Sequence, residues 1–85
     1  MDIRAELIEI ANLPNLKVSD GWRRQIIEFV EVNECRLALD TIGDWIVEYE
    51  VKIDQKVFQK LVLLREKLGE PRDEEYIKRN LLKSE

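Results

Sequence analysis

The chain has 85 residues, of which 45% are hydrophobic and 38% charged, with three glycines, two prolines and no histidine. This length supports one modest hydrophobic core, and the composition excludes a disordered chain while favouring exposed helices over strands, so we expect a single all-α domain over residues 1–85. The net charge of −4 disfavours direct nucleic-acid binding, and the longest apolar run, of four residues, is far shorter than the roughly 20 that cross a bilayer.

A first helix is predicted over residues 2–13, because their apolar side chains recur at helical spacing and Asp2 can serve as the N-cap. Pro14 ends this helix and begins the clearest loop in the chain. Asp20, followed by Gly21, then marks the start of a second helix, which is predicted from about Gly21 to Val32 with Asp20 before its first residue. The second helix is expected to pack through a stripe at helical spacing that comprises Trp22, Ile26, Phe29, Val30 and Asn33.

The third predicted helix spans residues 34–48 and follows a tight corner at Asn33, which we favour over one long kinked rod. Gly43 lies inside this helix and costs about 1 kcal/mol relative to alanine. Close approach of another helix of the same domain explains this glycine better than approach of a partner. Residues 49–53 alternate in polarity, and we interpret them as an extended connector because no second strand is predicted. The packing face of the third helix comprises Ala38, Leu39, Ile42, Ile46 and Tyr49.

The fourth predicted helix has the most clearly marked ends. Asp54 is its N-cap, and Ile53 and Phe58 occupy the two positions of a hydrophobic staple. Gly69 is its C-cap, and Pro71 prevents continuation. Its apolar face comprises Val57, Phe58, Leu61, Leu64 and Leu68. A short last helix follows, with its cap and apolar positions at Asp73, Tyr76, Ile77, Asn80 and Leu81. The expected architecture is a compact bundle of four to five short helices.

The acidity of the chain is concentrated in its middle third. Residues 28–54 hold eight acids and two bases, whereas residues 1–27 balance at zero and residues 55–85 carry a surplus of two bases. Bases and acids alternate in the last third, which is typical of a solvated helical surface. The central segment is therefore the part of the chain whose charge favours a cationic partner.

Three of the central acids, Asp40, Asp44 and Glu48, share one helical face at i, i+4 and i+8. Each like-charge contact along this face costs roughly 0.2–0.5 kcal/mol. Arg36 is spaced to reach Asp40. Lys52 is spaced to reach Glu48, whereas no cation is spaced to reach Asp44. A cationic partner would offset this repulsion.

The sequence is poor in the residues that enzymes and metal sites require. It has no histidine, no C-x-x-C pair and no glycine-rich phosphate loop, so we expect no catalytic residues, no metal and no cofactor. Cys35 is the only thiol, and Glu31 and Glu34 oppose formation of its thiolate. The surface carboxylates lie along a helix and not across a cleft, which disfavours acid–base chemistry.

The sequence therefore predicts a protein-binding surface in the acidic centre of the chain. Trp and Tyr often anchor protein interfaces, which favours Trp45 and Tyr49 as contacts. For Tyr49 a core position is the stronger alternative, because it continues the packing face, and for Trp45 the two interpretations are equal. The predicted partner-binding residues are Glu31, Glu34, Asp40, Asp44, Trp45, Glu48, Tyr49 and Glu50.

The pattern of residues 27–69 resembles the small helical immunity proteins of bacterial toxin systems, notably those that accompany Maf toxins and contact-dependent growth inhibition toxins. The resemblance is carried by an E-x-x-L-A-L-D helix from Glu34 to Asp40, an E-Y-E turn centred on Tyr49, and a helix that ends at Gly69. It implies a cytoplasmic, non-enzymatic protein that binds one cognate toxin C-terminal domain, often a basic nuclease domain, and blocks it.

A different class of function stays open as an alternative. A helical homo-oligomerisation or adaptor module without a toxin partner would leave its acids solvated and would expose an apolar stripe. The residues predicted for that stripe are Val30, Val47, Val51, Val62 and Leu63.

Overall fold

A computed structural model of the chain describes residues 2–69 and 74–81. These residues form four α-helices: α1 (Ile3–Ala11), α2 (Asp20–Glu31), α3 (Cys35–Glu48) and α4 (Gln55–Lys67). Two 3₁₀-helices, Pro14–Leu16 and Glu74–Asn80, complete the described structure. The described ranges contain no strand beyond an isolated parallel bridge between Ile53 and Leu81, which confirms the all-α prediction. The predicted extended connector is shorter than expected, because Tyr49 and Glu50 form the turn that ends α3.

Local capping explains where three of the helices begin. The Asp2 carboxylate accepts a hydrogen bond from the Ala5 backbone N–H at 3.2 Å, and the Asp54 carboxylate accepts one from Val57 at 2.8 Å, so both predicted caps are confirmed. Helix α2 differs, because Ser19 and not Asp20 is its N-cap. The α3 helix begins without a side-chain cap hydrogen bond.

The corner between α2 and α3 ends α2 in a Schellman arrangement. Asn33 has a left-handed φ of 64°, and the Glu34 N–H donates to the Phe29 carbonyl at 2.7 Å. This confirms the corner at Asn33, although the exposed Asn33 side chain is not part of the packing stripe as predicted. Helix α3 ends in the same way, with Glu50 at a φ of 48°.

The core lies where α1, α2, α4 and the C-terminal 3₁₀-helix pack against α3. Its largest fully buried side chains are Leu7, Ile10, Leu16, Ile26, Val30, Leu39, Ile42, Ile46, Ile53, Leu61, Leu64 and Ile77. Gly43 is buried within α3, as expected for close packing inside the domain. Gly69 adopts a left-handed φ of 70°, as expected for a glycine that ends a helix, but the C-cap of α4 is Leu68 and Gly69 is the residue after it.

The C-terminal 3₁₀-helix is tied to the end of α3. The Asn80 side-chain amide donates to the backbone carbonyls of Ile46 and Val51, both at 3.1 Å. The Ile53 N–H donates to the Asn80 carbonyl at 2.9 Å, and Ile77 is fully buried. The predicted short last helix is thus present as a 3₁₀-helix, whereas its predicted cap and the proline stop before it lie outside the described residues.

Candidate functional site

The outer face of α3 presents two of the predicted acids to solvent. Asp44 and Glu48 are exposed on α3, four residues apart and opposite the buried stripe of Leu39, Ile42 and Ile46. The hydrophobic spacing that orients α3 towards the core therefore places these carboxylates outwards.

Asp40 is the first correction to the predicted surface. Its carboxylate lies 2.9 Å from the Arg65 guanidinium, and only 33% of its side chain is exposed. Arg65 projects from α4 and is buried, so Asp40 neutralises a buried cation inside the domain. Asp40 is therefore a structural residue of the α3–α4 contact.

Trp45 is the second correction. It is 7% exposed, and its indole N–H donates to the Leu16 carbonyl at 2.9 Å. A partner cannot reach a side chain that is enclosed in this way. The prediction that Trp45 contacts a partner is therefore wrong as a direct contact.

Tyr49, in contrast, is more exposed than its helical spacing predicts. It follows the last residue of α3 as the C-cap, and 53% of it faces solvent. Its ring lies 4.2 Å from the Trp45 ring and 5.9 Å from the Trp22 ring, measured between centroids. The helix ends at this point, so the spacing that would bury Tyr49 no longer applies. A buried tryptophan thus supports an exposed tyrosine beside Glu48.

The remaining predicted acids lie at both ends of α3. Glu31 and Glu34 are exposed at the corner before the helix, and Glu50 is exposed just after it. At 1.5 Å per residue, Glu34 and Glu48 are separated by about 21 Å along the helix axis. The structure therefore brings Asp44, Glu48, Tyr49 and Glu50 together, but leaves the corner acids apart.

Two apolar residues are exposed near the corner between α2 and α3, and the sequence did not predict them as part of a site. Val32 is 66% exposed and Leu37 is 44% exposed, on either side of the turn between α2 and α3. A surface depression of about 400 Å³ continues along α2 and is lined by Gln25, Glu28, Phe29, Glu31 and Val32. A helical projection of α3 could have identified Leu37, because it lies opposite the buried stripe.

Two arginines of α2 and α3 are held by backbone carbonyls. The Arg36 guanidinium donates to the Leu68 carbonyl from two nitrogens, at 3.2 and 3.0 Å. The Arg23 guanidinium donates to the Val18 carbonyl at 3.0 Å. Both guanidinium groups therefore bind carbonyls that lie outside α3, and Arg23 also lies 3.3 Å from Asp20.

A cluster of opposite charges lies elsewhere, between α1 and α4. The Lys60 ammonium is 2.8 Å from a Glu6 carboxylate oxygen and 3.8 Å from Glu9. The hydrogen bond to Glu6 raises the pKa of Lys60 above its ordinary value of 10.5. This cluster of one lysine and two glutamates links α1 to α4.

The structure contains few features that would indicate chemistry. Cys35 is free and buried. Residues 2–69 and 74–81 hold no group of three or more His, Cys, Asp or Glu side chains placed to bind a metal ion. Within those same ranges, no helix combines the length and the apolar character needed to cross a membrane.

The alternative apolar stripe is only partly present. Val30 is buried, and Val47, Val51 and Val62 are partly buried, so only Leu63 of the predicted set is exposed.

Comparisons of the chain with protein-family models, curated proteins and solved structures found no significant match.

Proposed function

We propose that the chain is an immunity protein that binds a basic toxin domain and blocks it by covering its cationic active-site cleft. The observation that carries this proposal is the outer face of α3, where Asp44 and Glu48 are exposed beside Tyr49. A half-exposed tyrosine next to carboxylates is a combination that suits recognition of a cationic protein surface.

The internal partners of the neighbouring charges support the same proposal. Arg65 neutralises Asp40, and Arg36 is bound to the end of α4, so the domain has satisfied the charges that its own stability requires. The carboxylates left on the outer face contribute little to folding, because surface charges are usually worth less than about 1 kcal/mol. Their concentration on one face is then best explained by a partner.

Binding in this proposal requires no chemistry from the chain itself. Inhibition would be stoichiometric, and the affinity would depend on contact with the toxin domain rather than on a catalytic group. The partner is expected to be a nuclease domain, since a cleft that binds phosphates carries the positive charge that Asp44 and Glu48 complement. The site of action would be the cytoplasm, where such a toxin meets its substrate.

The proposal is tested with the C-terminal domain of the polypeptide encoded immediately upstream of this chain's gene. Expression of that domain should stop growth, and co-expression of the chain should restore it through a one-to-one complex. If the chain neither binds nor protects, the proposal is wrong.

A second candidate, self-association as an oligomerisation module, is favoured by one observation. Val32, Leu37 and Leu63 are exposed apolar residues. Sedimentation of the purified chain over a range of concentrations tests this alternative, which expects a concentration-dependent oligomer and is contradicted by a chain that stays monomeric.

A further inference from the structure

The helices α2 and α3 form an antiparallel pair whose line of contact is partly open to solvent. The Trp22 and Trp45 rings meet edge to face with their centroids 5.4 Å apart, which fixes the alignment of the two helices. The solvent side of this contact is called the α2–α3 seam. Its residues are Trp22, Gln25, Phe29 and Val32 from α2, and Leu37, Thr41, Glu48 and Tyr49 from α3.

Helical periodicity places these residues in two parallel rows. On α2, residues 22, 25, 29 and 32 follow the i, i+3, i+7, i+10 pattern of a single stripe, and on α3 residues 37, 41 and 48 follow i, i+4, i+11. Trp22 packs against Trp45 near the end of α3, and Leu37 and Glu48 are exposed, so helical geometry places both stripes on the solvent side of the α2–α3 pair, along the channel that two packed helices form. The seam extends about 17 Å from Leu37 to Glu48, the length of three helical turns.

The seam combines an apolar floor with an acidic rim. Val32, Leu37 and Tyr49 are well exposed, and Trp22 and Phe29 are partly buried against the core. Asp44 is seven residues after Leu37 and so lies on the α3 stripe with Glu48, whereas Glu28 lies beside the α2 stripe; all three are exposed. Neither row contains a lysine or an arginine.

We propose that the α2–α3 seam is the docking surface for a basic amphipathic helix of a partner protein. A helix of three turns fits between two antiparallel helices through ridges-into-grooves packing, with apolar anchors in the channel. Lysines or arginines on its flanks would meet Glu28, Asp44 and Glu48. The positive charge of the partner rests on the function proposed above. That the partner docks as a helix is an additional inference.

Charge argues against the other occupants of this surface. A second copy in a symmetric dimer would bring Glu28, Asp44 and Glu48 against the same rim of the other subunit, and like charges would repel. A phosphate backbone or an anionic membrane surface would meet the same repulsion. A cationic helix is the occupant whose charge is complementary.

The proposal is tested with a synthetic 14-residue helical peptide that has leucines at i, i+4, i+7 and i+11 and lysines at the flanking positions. A peptide of the same composition in scrambled order is its control. Binding is followed by intrinsic fluorescence, because Trp22 and Trp45 are the only tryptophans in the chain. We expect saturable binding that is at least about tenfold tighter for the amphipathic peptide. Equal binding of the two peptides, or no binding of either, would overturn the proposal.

Matched variants locate the bound peptide. Leu37→Ser should weaken binding about tenfold, whereas Leu63→Ser, at a similarly exposed leucine on α4, should leave it unchanged. Glu48→Lys should also weaken it, whereas Glu66→Lys should not; both acids are exposed in the last turn of a helix. Equal effects within either pair would place the peptide elsewhere and overturn the proposal. A dimer of the unmixed chain that Leu37→Ser disperses would also overturn it, in favour of a second copy.

Failure of this inference can be separated from failure of the proposed function. If the toxin domain encoded upstream binds but is insensitive to Leu37→Ser and Glu48→Lys, the seam is wrong and the immunity function stands. If the peptide follows the predicted pattern but that domain does not bind, the seam stands and the immunity function fails.

Discussion

The ion pair between Asp40 and Arg65 predicts that one acid of the apparent surface stripe is required for stability. The two groups are 2.9 Å apart, and Arg65 is almost fully buried. Removal of one partner from a fully buried pair costs about 3–5 kcal/mol. Because a third of Asp40 is exposed, we expect Asp40→Asn to cost about 1–3 kcal/mol, reduced by solvent screening.

The measurement is equilibrium unfolding in urea together with thermal unfolding, with Asp44→Asn as the matched control. A domain of this size loses about 4–8 °C in Tm per kcal/mol, so Asp40→Asn should lower Tm by at least about 4 °C. Asp44 is exposed on the same helix, and Asp44→Asn should stay within about 0.5 kcal/mol of the parent.

A double-mutant cycle tests the cause of that loss. Arg65→Met removes the buried cation and keeps an apolar side chain of similar length, so Asp40→Asn should cost less in the Arg65→Met background than in the parent. Two results would contradict this explanation. One is a loss of unfolding free energy for Asp40→Asn no larger than that for Asp44→Asn, and the other is a loss for Asp40→Asn that is the same in the parent and in the Arg65→Met variant.

Three further predictions concern other parts of the domain. Glu50→Gly should raise the free energy of unfolding by about 0.5–1 kcal/mol in urea titrations, because Glu50 has a left-handed φ of 48°; a loss of stability would contradict this. Between neutral pH and 10.5 the Lys60–Glu6 contribution should be present, and it should disappear as the pH rises through the raised pKa of Lys60, so on titration from neutral to alkaline pH the Tm difference between the parent and Lys60→Gln should shrink only above 10.5. Cys35→Ala should lower stability by about 1–2 kcal/mol, since Cys35 is buried, but should leave protection against the toxin intact; complete loss of protection in a folded variant would reopen a chemical role.

The ends of the helices could be predicted from the sequence because their determinants are local. Asp2 and Asp54 each accept a hydrogen bond from a backbone N–H three residues ahead, and the left-handed φ at Asn33 and Gly69 favours Asn and Gly. The start of α2 could not be assigned to Ser19, because two adjacent residues both favour the N-cap position.

The candidate site could be predicted only in part, because its composition depends on contacts between distant residues. Asp40 and Arg65 are 25 positions apart, and Trp45 and its acceptor Leu16 are 29 positions apart. Neither pairing can be inferred from the spacing of neighbouring residues. The sequence therefore predicted that Asp40 and Trp45 are available to a partner. Asp44 and Glu48 could be placed from helical periodicity alone, since exposure on a packed helix follows from the position of its apolar stripe.

These contacts also change how the acidic surface must be tested. Charge reversal at both Asp40 and Asp44 would confuse loss of binding with loss of stability, because Asp40 holds Arg65. Reversal at Asp44 and Glu48 avoids this problem, since both are exposed and neither lies in the core. The variant Asp44→Lys/Glu48→Lys should keep its free energy of unfolding within about 1 kcal/mol of the parent.

The most direct test of the account is the association rate of this double variant with the toxin domain encoded upstream, measured by stopped flow at several salt concentrations. The parent should associate rapidly at low salt and more slowly as salt screens its charges over about 10 Å at 0.1 M. The double variant should associate at least about tenfold more slowly at low salt, and its rate should lose most of this salt dependence. A rate equal to that of the parent across the salt series, in a variant shown to be folded, would contradict the claim that the outer face of α3 binds a cationic partner.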